Sequence, residues 1–75
     1  MIQLRVNGKE VELDGPTALL AYLARLEVNP RAVAVELNGA ILQRDDFAHT
    51  VLGAGDVVEI VRMVGGGINE RPASP

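Results

Sequence analysis

Two Asn-Gly dipeptides, Asn7-Gly8 and Asn38-Gly39, each sit between short runs in which apolar and polar residues alternate. A two-residue hairpin turn needs positive φ at both central positions, and Asn followed by Gly tolerates this readily. Ahead of the first turn Ile2, Leu4 and Val6 alternate with Gln3 and Arg5; behind it Val11 and Leu13 alternate with Glu10 and Glu12. Period two puts one set inward and the other in water, so residues 1–13 read as a β-hairpin. Around the second turn Val33, Val35 and Leu37 lead in, and Ala40-Ile41-Leu42 returns. Such a chain must build a sheet and must find something to cover it.

The cover is written between the hairpins. Asp14-Gly15-Pro16 ends the second strand, and Thr17 has the side chain of a helix N-cap. Leu19, Leu20, Leu23 and Leu26 recur at helical spacing over Thr17–Leu26, with Ala18, Ala21 and Ala24 supporting the helix. Asn29-Pro30 closes the segment. Beyond the second hairpin, Arg44-Asp45-Asp46-Phe47 reads as a turn or single helical turn anchored by Phe47. Gly53-Ala54-Gly55-Asp56 reads as a loop and residues 57–64 as a final strand. The predicted order is β-β-α-β-β-β. This is an α+β chain with a mixed four- to five-stranded sheet, one main helix on one face, and a β-grasp arrangement.

Size and composition narrow the function. Seventy-five residues make one domain. With one Phe, one Tyr and no Trp, the core must be largely aliphatic. The absence of Cys excludes disulfides, thiolate metal sites and a cysteine nucleophile. The formal charge of −3, with Lys9 the only lysine and the arginines scattered, argues against nucleic acid as the partner. No apolar run approaches the roughly 20 residues of a membrane span, and residues 1–5 lack the apolar segment of a signal peptide. A cytoplasmic protein without membrane attachment is expected. His49 has no second His or Cys to share a metal, so no metal site is expected. The adjacent Asp45 and Asp46 read as turn caps, Arg44 as one half of a structural ion pair, and Gly53-x-Gly55-Asp56 as a turn.

Side-chain chemistry is thus sparse, and attention moves to the main chain. The last strand runs into Gly65-Gly66-Gly67, and glycine lets another protein approach the backbone closely. If Val58 and Ile60 face the helix, then Val57, Glu59, Val61 and Met63 face the open side of the sheet. Three apolar residues there are either scattered surface hydrophobicity or a docking patch. Their continuity with Val64, Gly65 and the rest of the glycine tail favours the patch.

The series Val35-Glu36-Leu37-Asn38-Gly39, Arg44-Asp45-Asp46-Phe47, Gly55-Asp56 and a strand into Val64-Gly65-Gly66-Gly67 resembles the ThiS-type sulfur carriers of thiamine biosynthesis over residues 1–67. The resemblance implies a ubiquitin-like β-grasp fold and a co-substrate rather than an enzyme. It implies that Gly67, with Gly66 beside it, is the reacting end. A ubiquitin-activating-like adenylyltransferase would adenylate it at the expense of ATP, sulfur would displace AMP, and the thiocarboxylate would serve a thiazole synthase. No G-x-x-x-x-G-K-[ST] loop is present, in keeping with ATP being the partner's cofactor. Carriers for molybdopterin, cysteine or a secondary metabolite stay open as alternatives, as does a noncatalytic ubiquitin-like modifier or interaction module.

One departure qualifies the resemblance. Ile68-Asn69-Glu70-Arg71-Pro72-Ala73-Ser74-Pro75 follows the glycines, and an amide at Gly67-Ile68 leaves no carboxylate to activate. The polar, proline-bearing composition suits an exposed segment that a peptidase removes. An appendage foreign to the protein and a chain that no longer carries sulfur are the competing readings. The expected organisation is a β-grasp domain over 1–64, a glycine tail over 65–67 and a cleavable extension over 68–75.

Overall fold

A computed structural model of the chain describes residues 1–63. Strands β1 (Ile2–Val6) and β2 (Lys9–Leu13) form the first hairpin, paired Ile2 to Leu13 through Val6 to Lys9. A two-residue strand β3 (Thr17–Ala18) leads into helix α1 (Leu19–Arg25). A 3-10 turn over Pro30–Ala32 precedes β4 (Val33–Leu37) and β5 (Ala40–Ile41). A 3-10 helix over Arg44–His49, the short β6 (Val51–Leu52) and β7 (Val57–Arg62) complete the described chain. The main sheet has the order β2-β1-β7-β4-β5, with β3 and β6 forming a separate two-stranded pair. β7 lies at its centre, parallel to β1 and antiparallel to β4. With one main helix on a mixed five-stranded sheet, the architecture is the expected β-grasp.

Both hairpins turn where the Asn-Gly pairs stand. Asn7 and Gly8 have φ of 52° and 80°, and Asn38 and Gly39 have 52° and 87°, the left-handed values of a type I′ turn. The core forms between α1 and the inner face of the sheet. Leu4 and Val6 of β1, Val33 and Val35 of β4 and Val58 of β7 meet Leu19, Tyr22 and Leu23 of α1 there. Phe47 and Leu52 close the same cluster. Both aromatics are buried, in a core otherwise made of Leu and Val.

Several sequence expectations need correction. The helix starts at Leu19, not Thr17, because Thr17 and Ala18 pair as strand with Leu52 and Val51. The Thr17 hydroxyl donates to the Gly15 carbonyl at 2.9 Å and caps nothing; the Leu19 amide donates instead to the Thr50 carbonyl. Leu20 and Leu26 are exposed, and Tyr22 takes the place assigned to them. Leu20 is displaced because it sits about 100° around the helix from Leu19.

Leu26 is displaced because the helix stops beneath it. Glu27 takes φ of 60°, its amide donates to the Ala24 carbonyl, and the Val28 amide reaches back to Leu23 at 3.2 Å. This is a Schellman turn, which characteristically brings the residue after the left-handed position against the helix. Val28 accordingly packs on the core where Leu26 does not. Strand β5 ends at Ile41, although the Leu42 amide still donates to Val35, and β7 ends at Arg62 rather than at residue 64.

Candidate functional site

The alternation of β7 separates two environments within six residues. Val58 is fully buried beneath α1 and Ile60 is half-buried on the same side, whereas Val57 and Val61 are exposed on the opposite face. Glu59 shares that face and is half-buried. The register with β4 places Glu59 opposite Glu36 and Val61 opposite Ala34; Ile41 of β5 then stands opposite Glu36. The fraction of each side chain left in water is 44% for Val57, 59% for Val61, 50% for Met63 and 71% for Ile41. A hollow of about 210 Å³ lies between Val61 and Ile41, lined also by Ala34, Val35, Glu36 and Glu59.

Side chains from both hairpin turns hold β7 in place. β1 ends at Val6, so its pairing with β7 stops at Val58. Asn7 continues it: the Ile60 amide donates to Asn7 Oδ1 at 2.7 Å, and Asn7 Nδ2 donates to the Ile60 carbonyl at 3.1 Å. At the other end, the Val57 amide donates to Asn38 Oδ1 at 2.8 Å and Asn38 Nδ2 donates to Asp56 Oδ1 at 3.1 Å. Asp56 Oδ2 accepts from the Gly53 amide, tightening the loop that feeds the strand. The Met63 amide donates to the Ala32 carbonyl at 2.8 Å, so main-chain pairing continues to the last described residue.

The remaining polar candidates are structural. Arg44 makes no ion pair among the hydrogen bonds of the described residues; its guanidinium donates to the Pro30 and Arg31 carbonyls at 2.8 and 3.2 Å and lies 5.9 Å from the Phe47 ring centroid. It fastens the 3-10 helix to the turn before β4. Asp46 accepts from the Gln43 amide at 3.0 Å in a capping box, as a turn cap should. Among the described residues no three His, Cys, Asp or Glu side chains converge on a metal position, and no helix is long and apolar enough to cross a membrane.

Of the candidate site residues, Val57, Glu59 and Val61 are thus brought to one face, whereas Met63 follows the strand and borders a separate hollow with Glu27, Val28, Asn29, Ala32, Val33 and Arg62. Val64, Gly65, Gly66, Gly67 and Ile68 lie outside the described residues. Sequence reasoning missed Asn7, Asn38, Glu36 and Ile41. The asparagines looked complete as turn residues, and the other two reach the face only through the register of β4 with its neighbours.

Comparison with known proteins agrees with this architecture. A ThiS family model matches residues 4–67. The sulfur carrier protein ThiS of Bacillus subtilis is 35% identical over 65 residues, covering 85% of this chain and 98% of that protein. A thiazole synthase of Paramagnetospirillum magneticum is 35% identical over 69 residues, covering 92% of this chain but only 21% of that protein, so the chain spans about a fifth of this relative. The crystal structure of the thiamine biosynthesis protein ThiS from Geobacter metallireducens superposes with a TM-score of 0.75 at 39% identity, covering 88% of this chain and all of the other. The turn positions, the central last strand and the match running to Gly67 lead to one conclusion: the chain belongs to the ThiS family.

Proposed function

We propose that the protein is a sulfur carrier whose reacting group is the main-chain carboxylate of Gly67, and that its sulfur goes to the thiazole of thiamine. The observation that carries this reading is the end of the family match at Gly67, the last residue of the glycine run. In this reading the function belongs to the backbone.

The chemistry follows from the weakness of a carboxylate as an acyl donor. A peptidase first hydrolyses the Gly67-Ile68 amide and releases residues 68–75. The freed carboxylate attacks the α-phosphorus of ATP, held by an adenylyltransferase, and pyrophosphate leaves. Hydrosulfide then attacks the acyl carbon of the mixed anhydride, the acyl–oxygen bond to AMP breaks, and loss of the sulfur-borne proton leaves a thiocarboxylate. This anion is nucleophilic near neutral pH without a side-chain base. The carrier supplies reach, access and a docking face, and acts as co-substrate to enzymes that hold ATP and build the ring. Similarity to a segment of thiazole synthases supports a synthase of that kind as the acceptor.

Reach fixes where the docking face must be. Gly67 is four residues beyond Met63, and an extended chain gains at most about 3.5 Å per residue, so the acid lies within about 14 Å of Met63. A partner that draws it into an active site must press against the surface around the end of β7. Val61 and Met63 are exposed there.

The test is to incubate the chain ending at Gly67 with ATP and the adenylyltransferase of the same organism and follow intact mass. Addition of AMP, then replacement of one oxygen by sulfur when a sulfur donor is supplied, is the expected course. A trimmed chain that supports no pyrophosphate exchange would sink the carrier reading. Retention of residues 68–75 in active protein from native cells would favour an interaction module instead.

A further inference from the structure

Across β4, β5 and β7 the open face is apolar except at one row. Glu36 and Glu59 stand directly opposite each other on β4 and β7, with Ile41 beyond Glu36 and the Ala34–Val61 row alongside. Like charges at facing positions oppose strand pairing. Elsewhere on the same face the chain follows the opposite rule: Arg5 faces Glu10, and Gln3 faces Glu12, across β1 and β2. The carboxylates of Asp46, Asp56 and Glu12 accept hydrogen bonds within the chain, and those of Glu10, Asp14, Glu27 and Asp45 accept none but belong to exposed residues. Those of Glu36 and Glu59 accept none from any described residue, although both side chains are half-buried. Both line the 210 Å³ hollow whose other walls are Ala34, Val35, Ile41 and Val61. Two unsatisfied acids ringed by exposed aliphatic groups lack one thing, a cation with an apolar surround.

We propose that Glu36 and Glu59 jointly receive an arginine of the sulfur-acceptor synthase, and that this acid pair, more than the aliphatic residues around it, selects the partner. The inference rests on the docking reading given above. An arginine fits because its planar fork has donors enough for two carboxylates, and because it sheds water more easily than an ammonium. A metal ion fits poorly, since hard cations take six or more oxygen ligands and only two carboxylates converge here. Charge at an interface acts chiefly on specificity and encounter rate, while the aliphatic area supplies most of the desolvation. The facing acids also have a stability cost in the free protein, so loss of their charge should leave the fold intact or firmer.

The experiment measures binding of the chain ending at Gly67 to the thiazole synthase of the same organism by calorimetry, at low and moderate salt. Glu36→Gln, Glu59→Gln, the double variant and Val61→Asp are compared, with thermal melting of each. The expected result is that the double variant binds about tenfold or more weakly, that its affinity depends less on salt, and that its melting temperature equals or exceeds the parent's. Undiminished binding by the double variant alongside weak binding by Val61→Asp would overturn the acid-pair inference and leave the docking face standing. Undiminished binding by Val61→Asp as well would remove the face itself. A lower melting temperature in both single variants would show the acids to be structural. A self-associated parent that the double variant converts to monomer would make a second copy the occupant; both results overturn the proposal.

Discussion

The two faces of the sheet are made from the same strands and obey different rules. Beneath α1, Leu19, Leu23, Leu52 and Val58 have no exposed surface at all, so every methyl group there contributes to stability. Across the sheet, Val57 and Val61 each keep about half their surface in water, and they contribute little to stability. One strand, β7, serves both. The comparison teaches that side-chain parity along one strand is enough to separate packed positions from water-facing ones, so neighbouring residues should respond to substitution in unlike ways.

The sharpest break is expected on the closed face. Leu23→Ala should destabilise the fold by about 3 kcal/mol, by lost transfer and a residual cavity, as read from denaturant unfolding. Protein that remains folded should bind its partner normally. On the open face Val61→Asp should do the reverse. It should weaken partner binding by about 1–3 kcal/mol through an unpaired buried charge, while unfolding free energy changes by less than about 1 kcal/mol. Equal effects of Val61→Asp on stability and binding would erase the distinction between the faces.

Asn7→Ala tests the seam between them. It strips the Ile60 amide and carbonyl of their partner, and a loss of about 1–2 kcal/mol is expected. Faster amide exchange at Ile60 than at Val58 should accompany it. The smallest effect concerns neither face. Glu27→Gly should stabilise the protein by up to about 1 kcal/mol, because glycine occupies φ of 60° without the Cβ clash that Glu27 bears there. A destabilised variant would mean that the Glu27 side chain contributes something its backbone geometry does not reveal.

What was legible in the sequence was local. The Asn-Gly turns, the alternation of β1, β2 and β4, the inward placement of Val58 and the anchoring by Phe47 follow from residue type and spacing, and the fold follows from their order. The β3–β6 pair was not legible, since two residues carry no periodicity and Thr17 looks like a cap. The exposure of Leu26 depends on a left-handed Glu27, which nothing in the residue type announces. The tie from Asn7 to Ile60 spans 53 residues, and the meeting of Glu36 with Glu59 requires the register between β4 and β7. Both are products of tertiary assembly, beyond the range of any window along the chain. Of the open apolar face, the contribution of Val57 and Val61 was therefore legible, and that of β4 and β5 was not.

The parallel alignment of β1 with β7 has a mechanical consequence. The first and last strands of the described chain lie side by side, joined at Arg5–Val57 and Val6–Val58 and then through Asn7 to Ile60. A tug on the C-terminal end, whether from a tight tunnel or a pulling machine, acts along these strands. It must shear the bonds together instead of unzipping them one by one. The domain can thus be held by its end under tension without unravelling.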